Sequence, residues 1–537
     1  MKIQLSEHFT YKKLLRFVLP SIVMMIFTSI YGVVDGLFVS NYVGKTAFAA
    51  VNLIMPFLMA ISALGFMIGT GGSAIVAKTL GEGKKEQANE YFSMLVYLTL
   101  IGGIVLSALG ILFSPLIARG LGADGALLTN CVLYARITLL SMPAFMLQNV
   151  FQSFFVTAEK PKLGLGVIVI AGVTNMVLDF LLVGVFQIGL AGAAFATVTS
   201  ECIGGLFPIL YFARKKFQPS LNSGAHTLTG KFFLCACGNG SSELMTNLSS
   251  SIVNSLYNIQ LMNLAGENGV AAFGTIMYVN FIFIAIFLGY SIGSAPLVSY
   301  HYGAGNHDEL KNLFGKSLRL IGIWGLMLFI LAQLIARPLA AIFVGYDADL
   351  FSMTQNGFRI YCIAYLINGF NIYGSSFFTA LNNGLISAAI SFLRTLVFQL
   401  AAVLLLPLLL GINGIWSAVA IAELLTLGLT VTFFVRNRKN IIMPDPFFSR
   451  SLITSSYTSG LRSRRCSSSR CLRSRKRSAS SGCSCAIRSC TSCRCSSSLF
   501  ASVSSSFPEI LTISFKCSSR CSSHSSSSSA SIWDQRP

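Results

Sequence analysis

Residues 76–87 read VAKTLGEGKKEQ, and residues 298–309 read VSYHYGAGNHDE. Each stretch ends a long apolar run, and each places Gly-x-Gly and then a polar triplet at the same point, 222 residues apart. The same shift sets Ala49-Ala50 on Ala271-Ala272 and Ile54-Met55 on Ile276-Met277. It also sets Gly189, Gly192 and Glu201 on Gly411, Gly414 and Glu423. One further insertion brings Ser153-Phe154-Phe155 onto Ser376-Phe377-Phe378. Chance likeness between apolar runs yields Ala or Leu matches, but it does not put loop glycines in register. The chain therefore reads as a duplication.

Each half holds six apolar runs. They fall at about 14–38, 48–77, 91–118, 130–157, 163–184 and 190–213, then 231–264, 270–299, 315–345, 354–381, 385–408 and 413–436. They are too long for strands and lack the alternation of a barrel strand, so they predict helices. The 537 residues are 54% hydrophobic and only 11% charged. A soluble domain carries roughly 25% charged residues. So little charge cannot cover a water-facing surface, and runs of about 20 apolar residues span a bilayer. The predicted class is an all-α integral membrane protein of twelve transmembrane helices. Six is even, so the two six-helix repeats are parallel, enter from the same side and enclose a cleft between them. The expected division is a bundle over 1–216, a cytoplasmic linker over 217–230 and a second bundle over 231–440.

The net charge of +20 is not that of a nucleic-acid binder. From Arg450 onward there are 14 Lys and Arg against Glu509 and Asp534, about +12 of the total. The rest sits mainly in short loops on one side of a twelve-span plot, among them Lys12, Lys13 and Arg16; Lys78, Lys84 and Lys85; Lys160 and Lys162; Lys311, Lys316 and Arg319, while the other side has only Lys45, Arg119, Arg136, Arg337 and Arg359. The positive-inside rule makes that side, with both termini, cytoplasmic. The expected location is the cell membrane.

Residues 441–537 change character to Ser, Arg and Cys, and a segment so poor in apolar groups is expected to be disordered. It reads as aberrant sequence, dispensable for transport. Nine of the 14 cysteines lie there, in spacings unlike those of a zinc module. No GxxxxGK[ST] or GxSxG element is present, so neither a nucleotide site nor an enzyme is expected, and no cofactor.

Ionisable groups inside spans are costly and mark function. Asp35 lies in the first span and Asp179 late in the fifth. Two carboxyls sharing a low-dielectric site can hold a proton or a sodium ion between them. Asn175, one helical turn before Asp179, adds a neutral oxygen. Glu243 follows Gly238-Asn239-Gly240, glycines expected to break the seventh span and turn this carboxylate into the cleft. Arg394 is expected to make a structural ion pair. Glu201 and Glu423 recur by symmetry and read as architecture.

These motifs resemble the multidrug and toxic compound extrusion (MATE) family: Pro20 with Tyr31–Gly36, the paired loops after the second and eighth spans, Asn175-x-x-Leu178-Asp179, and Gly189-x-x-Gly192-Ala193-Ala194-x-Ala196-Thr197. The resemblance covers about 9–440. It implies a V-shaped pair of six-helix bundles, a chain working as a monomer, and export of small organic cations in exchange for H+ or Na+. The family's cation-site residues map onto Asp35, Asn175, Asp179 and Thr197, with any Na+ at the first three, and a seventh-span acid of some members onto Glu243. The chain departs from the family at Phe180, where proline is common, and in a tenth span without an acid. Two other readings remain at this point. One is a fold-mate that flips lipid-linked saccharides, which needs several cationic groups in its cleft. The other is a membrane scaffold that does not transport.

Overall fold

The computed structural model describes residues 3–213, 230–345 and 347–437. The expected linker, save its last residue, and the tail over 441–537 lie outside the described residues. Among the described residues all regular structure is helical. In chain order the α-helices are α1 (Tyr11–Phe38), α2 (Lys45–Gly81), α3 (Lys85–Gly120), α4 (Gly125–Leu140), α5 (Met142–Thr157), α6 (Pro161–Asp179) and α7 (Leu190–Ala213). They continue with α8 (Gly230–Gly303), α9 (His307–Val344), α10 (Ala348–Tyr361), α11 (Tyr365–Ala380), α12 (Gly384–Phe392), α13 (Gln399–Leu410) and α14 (Ile412–Arg436).

Twelve spans follow from these. Helix α8 is two spans joined end to end, because Gly266 takes φ 60° and ψ −148° inside it. Helices α4 and α5 form one span bent by 55° at Ser141. A short 3-10 turn, Cys362–Ala364, joins α10 to α11, and a π-helical stretch, Leu393–Phe398, joins α12 to α13. π-helical stretches also extend α1 (Val39–Val43) and α6 (Phe180–Val185).

The duplication is visible in the backbone. Gly83 and Gly305 have φ 82° and 66°, and Gly189 and Gly411 have φ 74° and 57°. A side chain is strained in this left-handed region, so the repeat keeps glycine where each loop turns. The fourth-to-fifth span turn uses Glu159 and its counterpart Asn382, at φ 60° and 58°. Caps then restart the helices: Asn306 Oδ1 accepts from Glu309 N–H at 3.1 Å, and Asn383 Oδ1 from Ile386 N–H at 3.4 Å.

The two halves meet at the end that carries the basic loops. A Cβ on Gly81 would lie 2.1 Å from Tyr300 O, and one on Gly303 would lie 2.1 Å from Lys78 O. These are reciprocal contacts between repeat equivalents, as a two-fold relation between α2 and α8 requires. Gly71 packs in the same way on Ala236 O, and Gly289 on Ser21 and Ile22. Small residues let helices approach to backbone distance where lipid supplies no hydrophobic drive. Of the glycines before Glu243, Gly240 belongs to this seam, while a Cβ on Gly238 would meet nothing within 4 Å. The sequence reading took them as helix breakers, but α8 runs through them without a break. Gly240 instead puts its α-carbon face against Met67 O, where a Cβ would be 1.9 Å away.

The buried clusters agree. Leu5, Phe9, Leu14, Phe17, Val18 and Ile22 share one core with the second half, and Phe232 and Ala236 join a core of the first. The clusters around Val39, Ala47, Val51 and Ile54, and around Ala50 and Ala123, hold first-half side chains alone.

Candidate functional site

Asp35 and Asp179 occupy equivalent local settings. Each lies where an α-helix gives way to a π-helical stretch, four residues before it on α1 and immediately before it on α6. Such π-turns in helices are frequent at functional sites. At Phe180 the π-turn stands where a family proline would have bent the helix.

The two carboxyls lie within hydrogen-bonding reach of one another. Asp179 is fully buried, Asn175 is 2% exposed and Asp35 8%. Asp35 Oδ1, Asn175 Oδ1 and both carboxylate oxygens of Asp179 have no hydrogen-bond partner. Buried polar atoms nearly always find partners, so four acceptor oxygens left open in one place call for an explanation.

Thr197 is half-buried on α7, and its hydroxyl donates to Ala193 O at 3.1 Å. It also meets the phenol of Tyr134, which stands beside Asp35, Asp179 and Glu201. Tyr31 lies near Gln148, Asp35 and Glu201. Gly172 makes room for the Tyr31 ring, since a Cβ there would come within 2.9 Å of it. Glu201 Oε2 accepts from Ser141 Oγ at 2.5 Å, at the bend of the fourth span. Tyr134 and Gln148 went unread in the sequence, because a tyrosine or glutamine in an apolar run carries no local signal. Glu201 carried one, as an acid inside a span, yet its symmetry with Glu423 argued for architecture.

The second bundle treats its copy of this acid differently. Arg394 Nε lies 2.7 Å from Glu423 Oε1, with the two side chains 14% and 7% exposed. Asn371 Nδ2 donates to Glu423 Oε2 at 2.7 Å, and Thr430 Oγ1 donates to Asn371 Oδ1 at 3.1 Å. The matching stretch of the first bundle, Ala171-Gly172, has no charged side chain. Among the described residues Glu201 makes no ion pair, whereas its copy Glu423 in the second bundle is paired with Arg394.

Glu243 is not joined to the Asp35 cluster. It lines a cavity of about 110 Å³ between the halves with Met25, Thr70, Asn247, Ser291 and Thr379. Among the described residues no group of three or more His, Cys, Asp or Glu side chains is arranged to hold a metal ion.

Twelve spans in two repeats that meet at one end, with buried acids inside the first bundle, define a multi-pass membrane protein of the transporter type. A family profile described as MatE matches residues 20–181 and 244–405, together more than half of the chain and one match to each repeat. The chain belongs to the MatE family. It is similar to the multidrug export protein MepA of Staphylococcus haemolyticus (strain JCSC1435), 22% identical over 81% of this chain and 96% of that one. MepA of Staphylococcus aureus (strain MSSA476) is also 22% identical, over 80% and 95%. Among solved structures, the outward-facing conformation of a multidrug resistance MATE family transporter matches with TM-score 0.76 and 23% identity, over 81% of this chain and 97% of that one.

Proposed function

We propose that this protein is a secondary active exporter of small organic cations, driven by exchange for H+ or Na+. The carrying observation is the set of four unpartnered buried oxygens of Asp35, Asn175 and Asp179. A coupling ion satisfies them in one state, and its release leaves negative charge for a cationic substrate. Tyr31 and Tyr134 add aromatic faces beside that charge. Thr197 closes the site from α7. The names of the similar Staphylococcus proteins accord with multidrug export.

Alternating access follows from where the bundles, residues 1–216 and 231–440, touch. They are sealed at the end bearing Lys78, Lys84, Lys160 and Lys311, which the positive-inside rule makes cytoplasmic. Rocking that parts the Gly81–Gly303 crossing would open that end and close the other. Glu243, in the cavity near this seam, is positioned to meet a substrate on its way from the cytoplasm.

The test is efflux of a fluorescent organic cation from proteoliposomes under an imposed H+ or Na+ gradient. Gradient-driven efflux abolished by Asp179→Asn, in protein shown to be inserted, is the expected result and names the coupling ion. Wild-type efflux that survives Asp179→Asn removes the site assignment. No efflux under either gradient removes the exporter reading and turns the search to lipid-linked saccharides.

A further inference from the structure

A second cavity lies away from the carboxylate cluster, at the basic end of the first bundle. Its volume is about 410 Å³, between the first turns of α1, the start of α6 and the last turn of α7. Arg16, Lys160 and Lys162 line it, with Glu159, Tyr211 and Ile3. Lys160 Nζ donates to Tyr211 Oη at 2.6 Å. The Glu159 carboxylate accepts from Leu5 N–H at 2.9 Å, so it is engaged with the N-terminal segment. Arg16 and Lys162 are exposed and make no ion pair among the described residues. Two unmatched cations therefore face a cavity at the depth where spans enter the membrane.

The surface toward the membrane centre is apolar and open. Leu19, one turn along α1 from Arg16, is 53% exposed, and Leu210, beside Tyr211, is 66% exposed. Phe207, one turn further in on α7, is also exposed. A cationic cavity that continues into an exposed apolar strip fits a molecule with an anionic head and a hydrocarbon tail. A soluble anion would use the first feature and leave the second without purpose.

We propose that this cavity binds the phosphate headgroup of an anionic phospholipid from the cytoplasmic leaflet. Basic pockets between spans on that side are suited to such headgroups. The phosphodiester sits between Arg16 and Lys162, and an acyl chain runs along Leu19 and Leu210. Ile3 forms one wall, so an occupied cavity also fastens the N-terminal segment to the first bundle.

The full chain in detergent is titrated with dioctanoyl phosphatidylglycerol, and thermal unfolding is followed. Dioctanoyl phosphatidylcholine and inorganic phosphate are run beside it. The expected result is stabilisation by phosphatidylglycerol at concentrations at least tenfold below those needed of phosphatidylcholine, with no effect of phosphate. Arg16→Gln/Lys162→Gln should weaken the phosphatidylglycerol response about tenfold or more, and Lys85→Gln, a basic residue outside the cavity, should not. Should the double variant fail to fold, the exposed Lys162→Gln alone should weaken the response several-fold. Equal responses to the two lipids, or an unchanged response in the variants, overturns the proposal. Stabilisation by phosphate at the same concentration assigns the cavity to a soluble anion instead.

Discussion

The crossing of α2 and α8 offers a direct test of the rocking motion. In Gly81→Ala/Gly303→Ala each added methyl lies 2.1 Å from a backbone carbonyl, Tyr300 O or Lys78 O, where an ordinary contact begins at 3.4 Å. The obstacles are helix backbone, so no side-chain rotation relieves them. The helices must separate by roughly 1.3 Å at this end, or the contact must break. Overpacking costs about 1–3 kcal/mol at one site. The two sites face each other, so ~3 kcal/mol for the pair is a fair figure, and it falls only on the state in which the bundles touch here. That is a shift of about 100-fold toward the state open at the basic end. Spin labels at Glu86 and Asp308, exposed repeat equivalents beside the crossing, report the separation in an otherwise cysteine-free chain. The short-distance population should fall and efflux should slow, with thermal stability little changed. Gly205→Ala is the contrast: its clash, 2.1 Å from Ala144 O, lies inside one bundle and should lower stability without moving the labels apart. An unchanged distance distribution in the double variant would refute the idea that this crossing gates the basic end.

Two further predictions use the same seam and the second bundle. Arg394→Met leaves Glu423 buried without its cation and should cost about 3–5 kcal/mol, seen as a fall in unfolding temperature. Adding Glu423→Gln should recover most of it, and a single variant as stable as wild type would contradict a structural ion pair. Glu309→Ala removes the acceptor of Phe9 N–H (2.9 Å) and of Asn312 Nδ2 (2.8 Å), together with the contact to His8 Nδ1 at 2.5 Å. The loss, roughly 2 kcal/mol, should raise thiol labelling of a Leu5→Cys reporter about 30-fold, and an unchanged rate would show that Glu309 does not hold the N-terminal segment.

The duplication was legible because it rests on backbone conformation. Gly83, Gly305, Gly189 and Gly411 stand at positive φ, where only glycine is free of strain, so the sequence keeps them in register. Span ends were legible for the same reason: caps and loop glycines punctuate apolar runs. The meaning of Gly240 was not. A glycine in a lipid-embedded helix either bends it or lets another backbone close in, and the choice depends on a partner 170 residues away in the chain, around Met67–Gly71. The π-turns after Asp35 and Asp179 were equally hidden, since no residue type signals a shift from i→i+4 to i→i+5 bonding. Pro143, in the first turn of α5 after Ser141, is a signal of the bend in the fourth span that the sequence reading did not use.

Symmetry is where sequence reasoning gave the wrong weight. Glu201 and Glu423 occupy equivalent places, and equivalence suggested one architectural role. The structure gives them opposite environments. Glu423 is tied by Arg394 and Asn371 and has no charge left to offer. Glu201 has no cation; it bonds to Ser141 at the bend of the fourth span and stands beside Asp35. One substitution between the repeats, an arginine for a small residue near 171–172, is enough to separate the fates of two identical side chains. Pairing the acid of the second bundle with Arg394 keeps its packing, while Glu201 stays in the first bundle beside Ser141 and Asp35.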